Sequence, residues 1–244
     1  MQAVITYFQQ HYALKSLGEI TWAHAVNSQA RLRETLHNPQ VMFLETDISR
    51  AHDGEIITAH PPARTSDLRF AELLNAVAQS RQGLKLDFKD PQVLVPCLNM
   101  LRESGLHQPV LLNADVLQGN LAGPARIEAT SFLALCHELY PQGLLSIGWT
   151  TSGNPTATYT SAHIEEMVAL CQRHAVQQAT FPIRGMHAPA SWSHVPRLLT
   201  SDNYTLTIWG QIDTATQAWL HQHTDPQVTC YDCFDEQGRP LRIA

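Results

Sequence analysis

Residues 84–89 read Leu-Lys-Leu-Asp-Phe-Lys, a run in which apolar and charged side chains alternate as they do in a β-strand. A helical pattern precedes this run: Ser66 is placed to cap it, and Leu73 and Val77 recur at helical spacing. Another helical pattern follows and opens at Pro91, since proline suits the first turn of a helix. A strand between two helical runs predicts a βα unit, and such units build parallel sheets with crossover helices.

The same alternation continues in both directions along the chain. Strand-like runs are expected at residues 20–24, 41–47, 55–60, 84–89, 110–113, 144–149, 179–184, 206–209 and 228–231. Further helical runs are expected at residues 28–37, 128–139, 161–174 and 214–223, with a weaker one at 189–199. With residues 55–60 taken as a hairpin-like extension, eight strand-plus-connection units remain, which predicts an α/β fold of the (β/α)8 TIM-barrel type. No Gly-x-Gly-x-x-Gly follows a strand, which disfavours an open dinucleotide-binding sheet.

Length and composition agree with one barrel. The chain has 244 residues, of which 44% are hydrophobic, so it can bury a sizeable core. We expect an N-terminal segment at residues 1–16 and a single barrel domain at residues 17–244. The net charge is −6 and no basic block stands out, which argues against a nucleic-acid groove. Residues 1–15 lack the apolar run of a signal peptide, and no run approaches the ~20 residues that span a bilayer, so we expect a cytoplasmic protein.

The five cysteines fit a reducing compartment. Cys97, Cys136 and Cys171 fall within apolar helical patterns, whereas Cys230 and Cys233 form a Cys-x-x-Cys pair near the C-terminus. A zinc site of this type needs a second pair, and the chain has none. We therefore expect two strand cysteines that pack inward, with a metal or redox role as the alternative.

Most of the predicted strands end in a polar or aromatic side chain after an apolar run. These residues are His24, Glu45, Asp47, Lys85, Asp87, Lys89, Asn113, Asp115, Trp149, Arg184 and Trp209. Lys85, Asp87 and Lys89 share one face because alternate residues of a strand point the same way. In a barrel the C-terminal ends of the strands form one rim, where active sites lie. We therefore expect these side chains to meet there, together with His60.

The predicted rim carries the groups of a metal-assisted site. Glu45, Asp47 and Asp87 are carboxylates that would repel one another at close range. A divalent cation relieves that repulsion, and hard oxygen ligands favour Mg²⁺ or Ca²⁺. His24 and His60 are suited to acid–base catalysis because histidine side chains ordinarily titrate near neutral pH.

Positive and aromatic residues add to this picture, although each has a simpler structural explanation. Lys89 and Arg184 suit phosphate oxygens, and cations with a metal ion are the usual electrostatic solution for phosphoryl chemistry. The Lys-x-Asp-x-Lys run at residues 85–89 is also compatible with a salt-bridged barrel interior, and Trp149 and Trp209 with packing at the barrel mouth. The occurrence of these residues on successive strand ends is what indicates a site.

Several short motifs resemble the glycerophosphodiester phosphodiesterases. Glu45-Thr-Asp47, Asp53-Gly54 and His60 are similar in order and spacing to one segment of that family. Asp87-Phe-Lys89 is similar to its third-strand element and to that of the sphingomyelinase-D-type phospholipases, and His24 to the histidine that ends the first strand. The resemblance implies a phosphodiesterase in which the three carboxylates bind a divalent cation and the two histidines divide the acid and base roles.

Longer motifs resemble the menorin family and cover nearly the whole chain. They are Trp22-Ala-His24-Ala-Val-Asn27-Ser28, Ala59-His60-Pro61-Pro62, Lys85-Leu-Asp87-Phe-Lys89, Leu112-Asn113-Ala-Asp115, Ser146-Ile-Gly148-Trp149-Thr150-Thr151 and Thr180-Phe-Pro182-Ile-Arg184. The resemblance implies a barrel of the phospholipase-C-like phosphodiesterase kind.

The chain departs from the glycerophosphodiesterases beside both histidines, with Ala25 in place of an arginine and Pro61 in place of an aspartate. Our leading hypothesis is a metal-dependent phosphodiester hydrolase with a small-molecule substrate, attacked by water or by a neighbouring substrate hydroxyl. Substrate or phosphate contacts would come from Lys85, Lys89, Asn113, Asp115, Trp149, Arg184 and Trp209. The alternatives are a non-catalytic barrel that binds phosphate, another ligand or a partner, and a different metal-assisted lyase or hydrolase.

Overall fold

The computed structural model describes residues 3–243, so residues 1, 2 and 244 of the expected domains lie outside the described part. The helices are α1 (Ala3–Gln9), α2 (Gln29–His37), α3 (Phe70–Ala78), α4 (Leu94–Ser104), α5 (Ala129–Leu139), α6 (Ser161–Arg173), α7 (Ala188–Ser191) and α8 (Thr214–His223). Short 3-10 helices occupy Leu17–Glu19, Pro91–Val93, Gly185–His187 and Val195–Leu198. Among the described residues, no helix is both long and apolar enough to cross a membrane.

The strands alternate with these helices. They are β1 (Trp22–Ala23), β2 (Phe43–Arg50), β3 (Ile56–Thr58), β4 (Gly83–Phe88), β5 (Val110–Leu117), β6 (Leu144–Trp149), β7 (Ala179–Arg184), β8 (Tyr204–Gln211) and β9 (Thr229–Phe234). Their order along the sheet is β1-β2-β4-β5-β6-β7-β8-β9, and β3 pairs with β2 off this path. β2 is parallel to β1 and β4 but antiparallel to β3, which confirms the hairpin-like extension predicted at residues 55–60.

The described chain forms two compact units. The β1–β5 unit comprises Thr21–Val116 and Arg126–Leu145. The β7–β9 unit comprises the residues up to Ile20, Leu117–Ala125 and the residues from Ser146 onward. The predicted carboxylates and both predicted catalytic histidines belong to the β1–β5 unit.

The β1–β5 unit buries one face of each of its longer helices against the strands. In α3 the buried residues are Phe70, Leu73, Leu74 and Val77, the spacing expected of an amphipathic helix. Gly83 opens β4 opposite Phe43 of β2. A Cβ atom at Gly83 would lie 2.5 Å from the Phe43 ring, so the absence of a side chain allows the two strands to pair here.

The β7–β9 unit is built in the same way. Its helix α6 buries Ile164, Met167 and Leu170. Its strands β7 and β8 are joined by a buried hydrogen bond of 2.7 Å between the hydroxyls of Thr180 and Thr207. This bond satisfies two polar groups that would otherwise be costly in the interior.

One predicted helix start is wrong. Ser28 caps α2 as expected and accepts from the backbone N–H of Arg31, but Ser66 does not cap α3, which begins at Phe70. The reason is tertiary: residues 57 and 69 form an antiparallel bridge, which keeps the chain extended beyond Ser66. The Ser66 hydroxyl instead donates to the carbonyl oxygen of Asn27 at 3.0 Å.

Other local predictions hold with small shifts. Pro91 opens a 3-10 turn that leads into α4, and the weak helical run at residues 189–199 divides into α7 and a 3-10 helix. All five cysteines are buried free thiols, and Cys230 and Cys233 lie within β9. The inward-packed arrangement expected for this pair is therefore confirmed.

Candidate functional site

Three neighbouring strands bring polar side chains into adjacent rows. In the parallel register Asp47 of β2 lies beside Asp87 of β4, which lies beside Asn113 of β5. Two residues earlier on each strand, Glu45 lies beside Lys85. Since side chains alternate between the two faces of a sheet, these five residues project from the same face.

The carboxylates of Glu45, Asp47 and Asp87 form a compact cluster. Each offers one oxygen, and these oxygens all lie within 4.8 Å of one another. Glu45 and Asp47 are only 2% and 5% exposed. The buried Oδ1 of Asp87 has no hydrogen-bond partner within residues 3–243. A buried carboxylate oxygen without a donor is unfavourable, so a cation that prefers oxygen ligands, such as Mg²⁺ or Ca²⁺, fits this cluster.

Two lysines supply positive charge to the cluster. Lys89 Nζ lies 2.6 Å from Asp87 Oδ2 and 3.5 Å from Asp47 Oδ1, and Lys85 is 3% exposed. Burial acts to raise the pKa of Asp87. The charges of Lys89 and Lys85, together with hydrogen bonds from Lys89 and Asn113, outweigh burial and hold the pKa below its ordinary value. Burial acts to lower the pKa of Lys89, and the neighbouring aspartates more than offset this effect. Asp87 and Lys89 therefore form an ion pair at neutral pH.

The charge state of Asp115 differs from that of Asp87. It stands two residues after Asn113 on β5 and so shares its face. Burial and the charge of Asp87 raise the pKa of Asp115 to about 7, against the opposing effects of Lys89 and Lys85. Near neutral pH this carboxyl group is therefore protonated in a large fraction of molecules.

The loop after β1 contacts two of the three clustered carboxylates. His24 Nδ1 lies 3.4 Å from Glu45 Oε2, and the backbone N–H of Ala25 donates to the same oxygen at 2.8 Å. Ala25 has a φ of 52°, in the left-handed region that is strained for a residue with a Cβ atom. The side-chain amide of Asn27 donates to Asp47 Oδ2 at 2.7 Å. The strained loop thus positions His24 and Asn27 beside the cluster.

His60 follows β3, and its neighbour Ala59 is hydrogen-bonded to β2, the strand of Glu45 and Asp47. Ala59 donates its backbone N–H to the carbonyl oxygen of Asp47 at 2.9 Å. The Nδ1 of the exposed His60 ring lies 2.6 Å from the carbonyl oxygen of Pro61. Because a carbonyl oxygen only accepts, Nδ1 carries the proton in the neutral ring and Nε2 keeps its lone pair.

Trp149, Arg184 and Trp209 lie in the β7–β9 unit. Arg184 and Trp209 are partners in the β7–β8 register, and the guanidinium carbon lies 5.6 Å from the centre of the Trp209 ring. The Nη1 of Arg184 also donates to the carbonyl oxygen of Ser152 at 3.0 Å. Trp149 is 1% exposed and packs edge-on against Tyr159. Trp149 is thus buried in the packing of this unit, and its Nε1 has no hydrogen-bond partner among the described residues. Arg184 and Trp209 form a cation–π pair.

Two polar residues were not among the predicted site residues. Asn27 lies in a loop, where hydrophobic periodicity says nothing about contacts. Asp232 is 2% exposed and lies beside Trp209 in the β8–β9 register. The sequence held a signal for Asp232, because this aspartate directly follows the strand-like run at residues 228–231, just as other candidate site residues lie at the ends of theirs.

Solved structures of glycerophosphodiester phosphodiesterases share this fold. The enzyme from Parabacteroides distasonis ATCC 8503 is 14% identical, with a TM-score of 0.56, 99% of this chain and 89% of that chain being covered. The one from Agrobacterium tumefaciens str. C58 is 10% identical, with a TM-score of 0.51 and coverage of 88% and 96%. The predicted (β/α)8 barrel of eight parallel strands with alternating helices is therefore confirmed.

Sequence comparisons identify the family. Human protein FAM151B is 34% identical over 240 residues, which cover 93% of this chain and 86% of that protein. The family described as the menorin N-terminal domain matches residues 16–238. Since the match spans β1 to β9 and all the predicted site residues, the chain belongs to the menorin family.

Proposed function

We propose that this protein is a metal-dependent phosphodiester hydrolase acting on a small-molecule substrate. The observation that carries the proposal is the buried cluster of Glu45, Asp47 and Asp87, with an unpartnered oxygen on Asp87 within the described chain. The glycerophosphodiester phosphodiesterases that share the fold make phosphodiesters the first substrate class to test.

The three carboxylates would hold Mg²⁺ or Ca²⁺. When bound, such an ion polarises a phosphoryl oxygen and neutralises negative charge that develops in the transition state. Asp87 and Asp47 would hold the ion that the phosphate binds, and the ammonium group of Lys89 lies within 3.5 Å of both. Lys89 would therefore donate to a phosphate oxygen. A cation of this kind offsets the charge of the carboxylates, which would otherwise repel an anionic substrate.

The two histidines would divide the proton transfers. His60 is suited to act as the general base, because its Nδ1 donates to Pro61 and leaves Nε2 to accept a proton. It would take that proton from the attacking water or substrate hydroxyl. His24 would act as the general acid and give a proton to the leaving oxygen, with Glu45 beside Nδ1 to orient its ring.

The test is hydrolysis of bis(p-nitrophenyl) phosphate and a panel of natural phosphodiesters with Mg²⁺, Mn²⁺, Ca²⁺ or EDTA. We expect turnover that requires the ion and is lost in Asp87→Asn. His60→Ala should lower the rate by roughly 10²–10⁴-fold. The matched control is His52→Ala, which removes another exposed histidine close to β2.

Two outcomes would contradict this proposal. Full turnover by both His24→Ala and His60→Ala would show that the acid–base assignment is wrong. Binding of a metal ion and of phosphate by the wild type, without turnover of any substrate, would support the non-catalytic binding barrel instead.

A further inference from the structure

The nitrogen and the oxygen of the Asn27 carboxamide both form hydrogen bonds with residues of β2. Its Nδ2 donates to Asp47 Oδ2 at 2.7 Å. Its Oδ1 accepts from the backbone N–H of Asp47 at 3.0 Å and from the hydroxyl of Thr46 at 3.0 Å. A flipped amide would place donors against donors and oxygen against oxygen, so these contacts fix its orientation. Asn27 therefore holds the backbone and the side chain of Asp47 together.

This contact determines which oxygen of Asp47 faces the other charged groups. With Oδ2 bonded to Asn27, the other oxygen, Oδ1, lies 3.5 Å from Lys89 Nζ. Glu45 and Asp87 repel Asp47, so an unrestrained carboxylate would tend to turn away from them. Asparagine counteracts this tendency with a neutral donor, whereas a lysine or arginine in its place would add a positive charge that repels a metal ion.

The loop that carries Asn27 is itself held by hydrogen bonds to protein groups. The backbone N–H of Val26 donates to the carbonyl oxygen of Glu45 at 2.8 Å, and that of Asn27 donates to the carbonyl oxygen of Ala25 at 2.8 Å. On its other side, the hydroxyl of Ser66 donates to the carbonyl oxygen of Asn27 at 3.0 Å. The carboxamide is thus presented to Asp47 by a fixed loop, which is the requirement for a preorganised site.

We infer that Asn27 is a positioning residue for the cation site, which orients Asp47 for an ion bound by Glu45, Asp47 and Asp87. This inference rests on the proposed function, since it assumes a cation at those carboxylates. Hydrogen-bond partners of metal ligands typically contribute roughly 10–100-fold to metal affinity. Loss of the Asn27 carboxamide should therefore weaken the ion far more than it weakens the fold.

The experiment measures Mn²⁺ affinity of the full chain by electron paramagnetic resonance of the free ion. Asn27→Ala should raise the dissociation constant by roughly 10–100-fold, while the melting temperature in EDTA stays close to that of the wild type. Asn27→Ser, which shortens the side chain but keeps it polar, serves as a second variant. The matched control is Asn38→Ala, which removes an exposed asparagine in the same unit whose side chain accepts from Gln40.

The outcomes separate this inference from the proposed function. Mn²⁺ binding by the wild type with unchanged affinity in Asn27→Ala would overturn the positioning role alone. A wild type that does not bind Mn²⁺ would overturn the metal-dependent mechanism and, with it, this inference. If neither Asn27 variant folds, Asn27 is a folding residue and the inference is wrong. Weaker binding in Asn27→Ala, with Asn38→Ala unchanged, would support it.

Discussion

The two oxygens of Asp87 have different surroundings. The Lys-x-Asp-x-Lys run at residues 85–89 can therefore be both a salt-bridged barrel interior and part of a metal site. Oδ2 forms a 2.6 Å ion pair with Lys89, as a salt-bridged barrel interior requires. Oδ1 is buried and has no partner among residues 3–243, as a ligand for a cation requires. A single carboxylate can therefore belong to an internal ion pair and still offer an oxygen to a metal ion.

Ala25 has a left-handed backbone conformation in the loop that contacts Glu45. Its φ of 52° is compatible with the observed hydrogen bond to Glu45 but is strained for a residue with a side chain. We expect Ala25→Val to lower the free energy of unfolding by about 1–3 kcal/mol, because a β-branched side chain tolerates the left-handed region poorly. Urea denaturation would measure this.

The control for this prediction is Ala63→Val. Ala63 is exposed and does not have a positive φ, so the change should stay within about 0.5 kcal/mol. Equal stability of the two variants would show that the left-handed turn at Ala25 carries no conformational strain.

At the level of secondary structure, the side chain of Glu128 caps the N-terminus of α5. The carboxylate of Glu128 accepts from the backbone N–H groups of Thr130 at 2.8 Å and Ser131 at 2.7 Å. The bond from Ser131, followed by that from Thr130, lowers the pKa of Glu128 to about 2. These two donors belong to the first turn of the helix, where they have no partner within the helix itself.

Glu128→Ala should therefore lower the free energy of unfolding by about 1 kcal/mol at pH 7, the usual effect of losing a helix cap. The folded-state pKa lies below the ordinary value, so the ionised form is the stabilising one. Its contribution is present above the ordinary glutamate pKa and is lost as the pH falls towards about 2. Urea denaturation at several pH values should show the wild type and the variant converging in acid.

Glu138→Ala provides the control in the same helix, because Glu138 is exposed near the opposite end of α5. Its stability difference from the wild type should stay small over the same pH range. A difference for Glu128→Ala that does not change with pH would contradict the capping role of the ionised carboxylate.

At the level of the whole molecule, a bound cation should stabilise the fold. Its proposed ligands lie on β2 and β4, two strands that are separated in the sequence, so the site would exist only in the folded chain. An ion at about 100 times its dissociation constant would add about 2.7 kcal/mol to the free energy of unfolding. We expect Mg²⁺ or Ca²⁺ to raise the melting temperature by several degrees in differential scanning calorimetry.

Three comparisons test the specificity of that shift. EDTA should reverse it, and Asp47→Asn should reduce it strongly, whereas sodium chloride at the same ionic strength should not reproduce it. An unchanged melting temperature with every divalent ion would contradict a cation site at these carboxylates.

The sequence by itself determined the order of strands and helices and the face from which the site residues project. These properties are local, because hydrophobic periodicity and the alternation of side chains along a strand depend only on neighbouring residues. For this reason Asp47 and Asp87 could be expected to meet, as they do in the β2–β4 register. The predicted end of the strand at Asp47 was wrong, because pairing with β3 continues β2 to Arg50. The resemblance of longer motifs to the menorin family added the family and the expected kind of barrel, which periodicity alone does not contain.

Only the tertiary structure decided how distant segments act on those residues. The bridge between residues 57 and 69 delays the start of α3, and the contact of Asn27 with Asp47 joins a loop to a strand 20 residues further along the chain. The pKa of Asp115, about 7, depends on burial and on the charge of Asp87. Contacts, burial and electrostatic interactions across space have no local signature, because they are set by the packing of segments that the sequence separates.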